Sequence, residues 1–137
     1  NAIINHILNR KIEYCNNNGL SIKCMVCGEL KGVSDYDIHI ILENLLDNAI
    51  EAALKAVNKR ISVDIYSDEQ AMVIKISNTT EENVLKNNPE MNTTKKDNSY
   101  HGYGIRNVSE LVKKNNGTIE YIQLGVDIVQ CRVLLML

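Results

Sequence analysis

A chain of 137 residues, 45% hydrophobic and 23% charged, has room for one domain and enough apolar surface to bury roughly two thirds of what its unfolded form exposes. Fifteen basic residues stand against seventeen acidic ones, a formal charge of -2, which excludes a nucleic-acid binder working through a broad basic surface but not a local anion pocket. No apolar run approaches the roughly 20 residues of a membrane span, and the opening residues do not read as a secretory leader.

Residues 1–18 read as a helix, with Ile3, Ile4, Ile7, Leu8 and Ile12 along one side, and Asn16-Asn17-Asn18-Gly19 ends it because Asn and Gly tolerate a left-handed cap. Residues 20–27 form a strand and 28–34, with two glycines, a turn. A long helix follows, capped by Ser34 with Asp37, and Ile38, Ile41, Leu42, Leu45, Ala49, Ala53 and Val57 mark its apolar stripe. Strands at 60–66 and 71–77, joined by the short Ser67-Asp68-Glu69-Gln70 segment, make an antiparallel hairpin.

From 79 to 101 the periodicity dissolves, as it does in a functional lid. It resumes with Ile105, Val108, Leu111 and Val112, and Asn116-Gly117 closes that helix. Strands at 118–123 and 128–136, turning at Gly125, complete a second hairpin. With no Trp and no Phe, Leu, Ile and Val must build the core. The order is α-β-α-β-β-lid-α-β-β, which predicts a two-layer α/β sandwich: a mixed, mostly antiparallel sheet covered on one face by helices.

Four cysteines are present, Cys15, Cys24, Cys27 and Cys131. Cys24-x-x-Cys27 is half of a zinc motif, but on a strand its two thiols point to opposite faces, so plain thiols in a reducing compartment are expected. Three other features carry chemistry. Stepping about 100° per residue along the long helix puts Asn44 near 240°, Asn48 near 280° and Glu51 near 220°, one polar face, while Glu43 falls near 140°, away from Asn48. Asn is a poor mid-helix residue, so this i, i+4 pair is either a solvated face or a site.

His101-Gly102-Tyr103-Gly104-Ile105, ahead of a helix, reads either as a helix-start turn or as a place where backbone N–H groups meet an anion. Just upstream, Thr93-Thr94-Lys95-Lys96 offers hydroxyls and ammonium groups for phosphate oxygens, or else a solvated basic tip. Asn78, at the end of a core-like strand, is a turn residue or a carboxamide able to read a purine edge.

Together these pieces resemble the ATP-binding domain of the GHKL superfamily, which includes gyrase, Hsp-ninety-type chaperones, histidine kinases and MutL. Glu43-Asn44-Leu45-Leu46-Asp47-Asn48-Ala49 is similar to the kinase N-box and Gly102-Tyr103-Gly104-Ile105 to the second glycine box, with the lid between them. The resemblance covers essentially the whole chain. It is closest to the agr-type quorum-sensing histidine kinases, through Asn5-x-x-Leu8-Asn9-x-Lys11, Leu46-Asp47-Asn48-Ala49-Ile50-Glu51-Ala52-Ala53, Thr94-Lys95 and His101-Gly102-x-Gly104.

This resemblance implies that Asn48 supplies a carboxamide oxygen to Mg²⁺ on the ATP phosphates, with Asn44 one turn earlier on the same face. Lys95 or Lys96, with the Gly102 and Gly104 backbone, would hold the β- and γ-phosphates, and His101, Tyr103 and Ile105 would border the nucleotide. Residues 1–18 would be the end of the dimerisation-and-acceptor helix or a linker helix, and 19–137 the catalytic domain, the lid spanning about 79–101.

Two departures from the family pattern matter. The first glycine box is absent and Ser77-Asn78-Thr79-Thr80 stands in its place, so Asn78 would read adenine as a neutral acceptor and weak nucleotide affinity is expected. Hydrolytic members carry Glu one turn before the metal-binding Asn; here that place holds Asn44, which leaves no placed general base for fast hydrolysis. Phosphoryl transfer to a histidine on a separate dimerisation domain, for relay to a response regulator, fits better. His6, His39 and His101 do not read as that acceptor: none sits in an acceptor-type motif.

The expected setting is cytoplasmic, as the soluble part of a membrane-anchored kinase, with no nucleic-acid partner and no membrane contact by this chain. Two other readings compete: an ATP-hydrolysing module of the gyrase or MutL kind, which Asn44 in place of Glu disfavours, and a degenerate interaction scaffold, which intact Asn48, Lys95, Gly102 and Gly104 disfavour.

Overall fold

The computed structural model describes residues 1–81 and 99–137, with side chains in the second stretch from residue 107 onward. Asn1 caps the first helix, α1 (Ala2–Asn17), its side-chain oxygen accepting from the backbone N–H of Ile3 at 2.9 Å and of Ile4 at 3.1 Å. Ile4, Ile7, Leu8, Lys11 and Cys15 are its buried positions, the i, i+3, i+4, i+7 stripe of an amphipathic helix with one lysine in it. Gly19, at φ +73, reverses the chain where the Asn-Gly run predicts a stop, and the Leu20 N–H closes the turn on the Cys15 carbonyl.

Strand β1 (Ser21–Cys27) alternates exposed and half-buried positions, Cys24 turned inward and Cys27 outward. Helix α2 (Asp35–Leu54) starts at Ser34, whose Oγ accepts from the Asp37 N–H at 3.1 Å. Its core stripe is Ile38, Ile41, Leu42, Leu45, Leu46, Ala49, Ile50 and Ala53. Val57 is not part of it: the helix stops at Leu54 and Val57 is 97% exposed. Ala56 turns inward instead, and its carbonyl accepts from the Lys59 Nζ at 2.9 Å.

Strands β2 (Arg60–Ser67) and β3 (Ala71–Thr79) form the predicted antiparallel hairpin. Helix α3 (Ser99–Lys114) is followed by a turn in which Asn116 takes a left-handed conformation, φ 53. The last hairpin is β4 (Thr118–Gly125) with β5 (Ile128–Met136). Its turn sits on Val126-Asp127, not on Gly125, because a register shift between Gln123 and Gly125 absorbs one residue before the reversal.

The five strands pair in the order β1-β2-β3-β5-β4, β1 running parallel to β2 and every other pair antiparallel. Ile61, Val63, Ile65, Met72, Ile74, Ile76, Val129, Cys131, Val133 and Leu135 all point to one face and are buried there. α1, α2 and α3 contribute Ile4, Ile7, Leu42, Leu46, Val108 and Val112 to the same core cluster. The mixed two-layer sandwich is thus as the hydrophobic periods predict.

Tight approach at one glycine gives a stability test. Gly28 has φ +94, and a Cβ there would overlap the backbone carbonyl oxygen of Ser67. Gly28→Ala is expected to destabilise the fold by about 2 kcal/mol or more, from left-handed strain plus the displaced β2 end, read as a lower urea midpoint by circular dichroism.

Candidate functional site

The site grows from the outer faces of α2. Glu43 and Asp47, one turn apart, face α1. Glu43 Oε1 lies 3.0 Å from Arg10 Nη1, Glu43 Oε2 lies 2.7 Å from Lys11 Nζ, and Asp47 Oδ1 lies 2.7 Å from the same Nζ. Burial alone would lower the Lys11 pKa, but the two carboxylates outweigh it and hold the ammonium above its usual range. Burial alone would raise the Glu43 carboxyl, and Lys11 with Arg10 outweighs that too, keeping it below the usual carboxylate range. Lys11 and Glu43 are therefore held in their charged forms, and Glu43 is a pinned anion with little basicity to offer.

Asn44 and Asn48 lie one step further round the helix. Both are half-buried and both line a cavity of about 560 Å³ between α1 and α2, together with Glu51 and with Arg10, Lys11 and Tyr14 of α1. Asn44 Nδ2 donates to the Ile40 carbonyl at 2.8 Å, which fixes the amide and leaves its oxygen for another group. The Asn48 carboxamide has no hydrogen-bond partner among the described residues. It offers a neutral oxygen donor to the cavity, the ligand type a hard divalent cation takes.

Asn78 stands elsewhere, at the end of β3 opposite Ile61 of β2 and Val129 of β5. Directly paired residues share a face, so it belongs to the helix-covered side. Its Nδ2 donates to the Thr79 carbonyl at 3.0 Å, and its oxygen remains an acceptor, as reading an adenine amino group requires. It borders a depression of about 240 Å³, with Arg60, Ser77 and Thr79.

Lys95 and Lys96 lie outside the described residues, as do the side chains of His101, Tyr103 and Ile105. Gly102 and Gly104 do not form a turn ahead of α3 but lie inside it, because the helix starts at Ser99. A helix leaves its first four N–H groups without intrahelical acceptors, and Gly102 falls among these while Gly104 does not. His6 is exposed on α1 and His39 half-buried on α2.

Arg10 and Tyr14 are site neighbours that motif reading does not supply, and Lys11 appears there only as the end of Asn5-x-x-Leu8-Asn9-x-Lys11, without a role in the site. The signal for Lys11 is its place at i+7 from Ile4 in an otherwise apolar stripe.

A family model described as a GHKL domain matches residues 33–134. No curated protein matches the chain by sequence. The fold is similar to that of the nucleotide-free catalytic domain of histidine kinase ThkA, with a TM-score of 0.79 at 15% identity over 99% of this chain and 92% of that one. It is similar as well to histidine kinase AdeS of Acinetobacter baumannii, with a TM-score of 0.68 at 17% identity over 98% of this chain. Full-length ShkA in complex with AMPPNP gives a TM-score of 0.72 at 14% identity over 96% of this chain. The chain spans 63% of the AdeS chain and 29% of the ShkA chain.

Proposed function

Since the chain belongs to the GHKL domain family, we propose that it is the Mg-ATP-binding catalytic domain of a two-component sensor histidine kinase. It delivers the γ-phosphoryl group to a histidine on a dimerisation domain, from which a response regulator is charged. Residues 1–18 are the end of the dimerisation helix or a linker helix and 19–137 the catalytic domain, and Asn78 in place of the adenine-reading acid supports the agr-type, quorum-sensing branch.

The observation that carries this reading is the geometry of α2. Asn44 and Asn48 face one cavity, while the only nearby Glu on the preceding turn, Glu43, is tied to Arg10 and Lys11. A site whose oxygen donors are carboxamides, and whose preceding-turn Glu is held by two cations, suits transfer to a side chain better than activation of water. Asn48 would hold Mg²⁺, which when bound neutralises charge on the triphosphate. Asn44 orients the phosphates from one turn before, Lys95 or Lys96 and the Gly102 N–H receive them, and Asn78 accepts from the adenine amino group.

Calorimetric titration with a non-hydrolysable ATP analogue, with and without Mg²⁺, tests this. Binding is expected only with Mg²⁺ and in the range of tens to hundreds of micromolar, about -5 to -6 kcal/mol, because a neutral Asn78 acceptor is weaker than a carboxylate. Absence of heat at millimolar nucleotide would overturn the reading in favour of an interaction scaffold. Rapid steady release of phosphate from ATP by the chain alone would replace it with a hydrolytic module.

A further inference from the structure

Residues 43 to 51 of α2 carry Glu43, Asp47 and Glu51 and no basic residue. A triphosphate approaching Asn44 and Asn48 therefore meets a helix of its own sign; Glu51 has Lys55 at 4.0 Å, and the countercharge to Glu43 and Asp47 comes from α1. The Lys11 ammonium sits between Glu43 and Asp47 at 2.7 Å from each, its side chain only 11% exposed, and Arg10 adds a second cation on Glu43 at 3.0 Å. These partners are separated by 32 to 36 residues in sequence, so the balance of these four charges exists only while α1 is docked.

We infer that Lys11 is a positioning residue for nucleotide binding: by offsetting, with Arg10, the Glu43 and Asp47 carboxylates it makes the Asn44–Asn48 face of α2 receptive to an anionic triphosphate, and it ties that receptivity to the docking of α1. The inference rests on the ATP-site reading and adds to it a role for the helix outside the GHKL match, which begins at residue 33. The bare alternative is a clamp, in which Lys11 holds α1 to α2 and affects nucleotide only by keeping the fold intact.

The two roles separate on charge. A cation removed at roughly 8 Å from an anion costs on the order of tenfold in affinity in a half-buried site. Titration of the whole chain with Mg-AMPPNP is expected to show that loss in Lys11→Met, and the loss should shrink at about 0.5 M salt, where such charges are screened. Adding Glu43→Gln and Asp47→Asn to Lys11→Met should restore affinity to within about twofold, because the carboxylates it opposed are gone. The Glu43→Gln/Asp47→Asn pair alone, with Lys11 kept, should bind at least as tightly as the unsubstituted chain, and serves if Lys11→Met fails to fold.

A clamp predicts the reverse, since each of these variants breaks the same ion pairs. Unchanged affinity in Lys11→Met, a triple variant as weak as Lys11→Met, or a weakened Glu43→Gln/Asp47→Asn pair would each overturn the inference alone. Failure of the unsubstituted chain to bind Mg-AMPPNP would instead overturn the ATP-site reading beneath it.

Discussion

Asn48→Ala is expected to abolish Mg²⁺-dependent binding of an ATP analogue while leaving the fold as stable as before or more so. Asn48 is half-buried in mid-helix, lines the α1–α2 cavity, and bonds to no other described residue. Its amide thus contributes little to the fold, and Ala is the better helix former by about 0.6 kcal/mol. The carboxamide oxygen, in contrast, is the donor through which the metal and the phosphates would be held, and losing one such ligand should weaken binding by roughly a hundredfold or more, about 3 kcal/mol.

Opposite movement of affinity and melting temperature distinguishes a residue kept for function from one kept for packing. Asn44→Ala should behave differently, because Asn44 Nδ2 is already committed to the Ile40 carbonyl and only its oxygen is at stake. Calorimetry and a thermal melt on the two variants decide the matter. Retained Mg²⁺-dependent binding in Asn48→Ala would remove this residue from the site.

The order of elements is legible because the chain changes period cleanly and marks its stops. Gly19 and Asn116 both adopt the left-handed conformation that the Asn-Gly pairs predict. The parallel pairing of β1 with β2, and the insertion of β5 between β3 and β4, follow from long-range packing and leave no local mark. Two local misreadings have physical causes. No Gly or Pro follows Leu54, so the apolar phase runs on to Val57 on paper, although the helix has already ended. Gly102 and Gly104 look like a turn, yet glycine also accepts helical angles, and α3 takes them in from Ser99.

The same division holds for the site. Helical phase alone sets Asn44 and Asn48 on one face and Glu43 off it, and the structure places Glu43 against α1 accordingly. What phase cannot give is the partner. Lys11 lies in an apolar stripe, where a lone lysine reads as an imperfection until a second helix brings two carboxylates to it. A pairing made across 36 residues is visible only once α1 and α2 are packed.

Asp37 gives the largest expected loss of stability outside the apolar core. Its carboxylate is buried at the start of α2, where Oδ2 lies 3.0 Å from Lys114 Nζ and accepts from Asn115 Nδ2 at 3.1 Å, both at the far end of α3. Burial by itself would raise its pKa, but Asn115, Lys114 and Ser34 outweigh burial and hold it below the usual carboxylate value. The N-terminal turn of α2 favours the same charge.

Asp37→Ala removes the hub and with it the bonds from Lys114 and Asn115, at a cost of about 2–3 kcal/mol. A depressed folded-state pKa means that this stability is fully present above the unfolded carboxylate value, near pH 4, and is lost as pH falls through the lower folded value. The urea midpoint of the unsubstituted chain should accordingly fall between about pH 5 and pH 3, and its advantage over Asp37→Asn, large at pH 7, should narrow over that interval. An advantage that stays constant with pH would mean that Asp37 acts through shape alone, and the charge link between the start of α2 and the end of α3 would have to be given up.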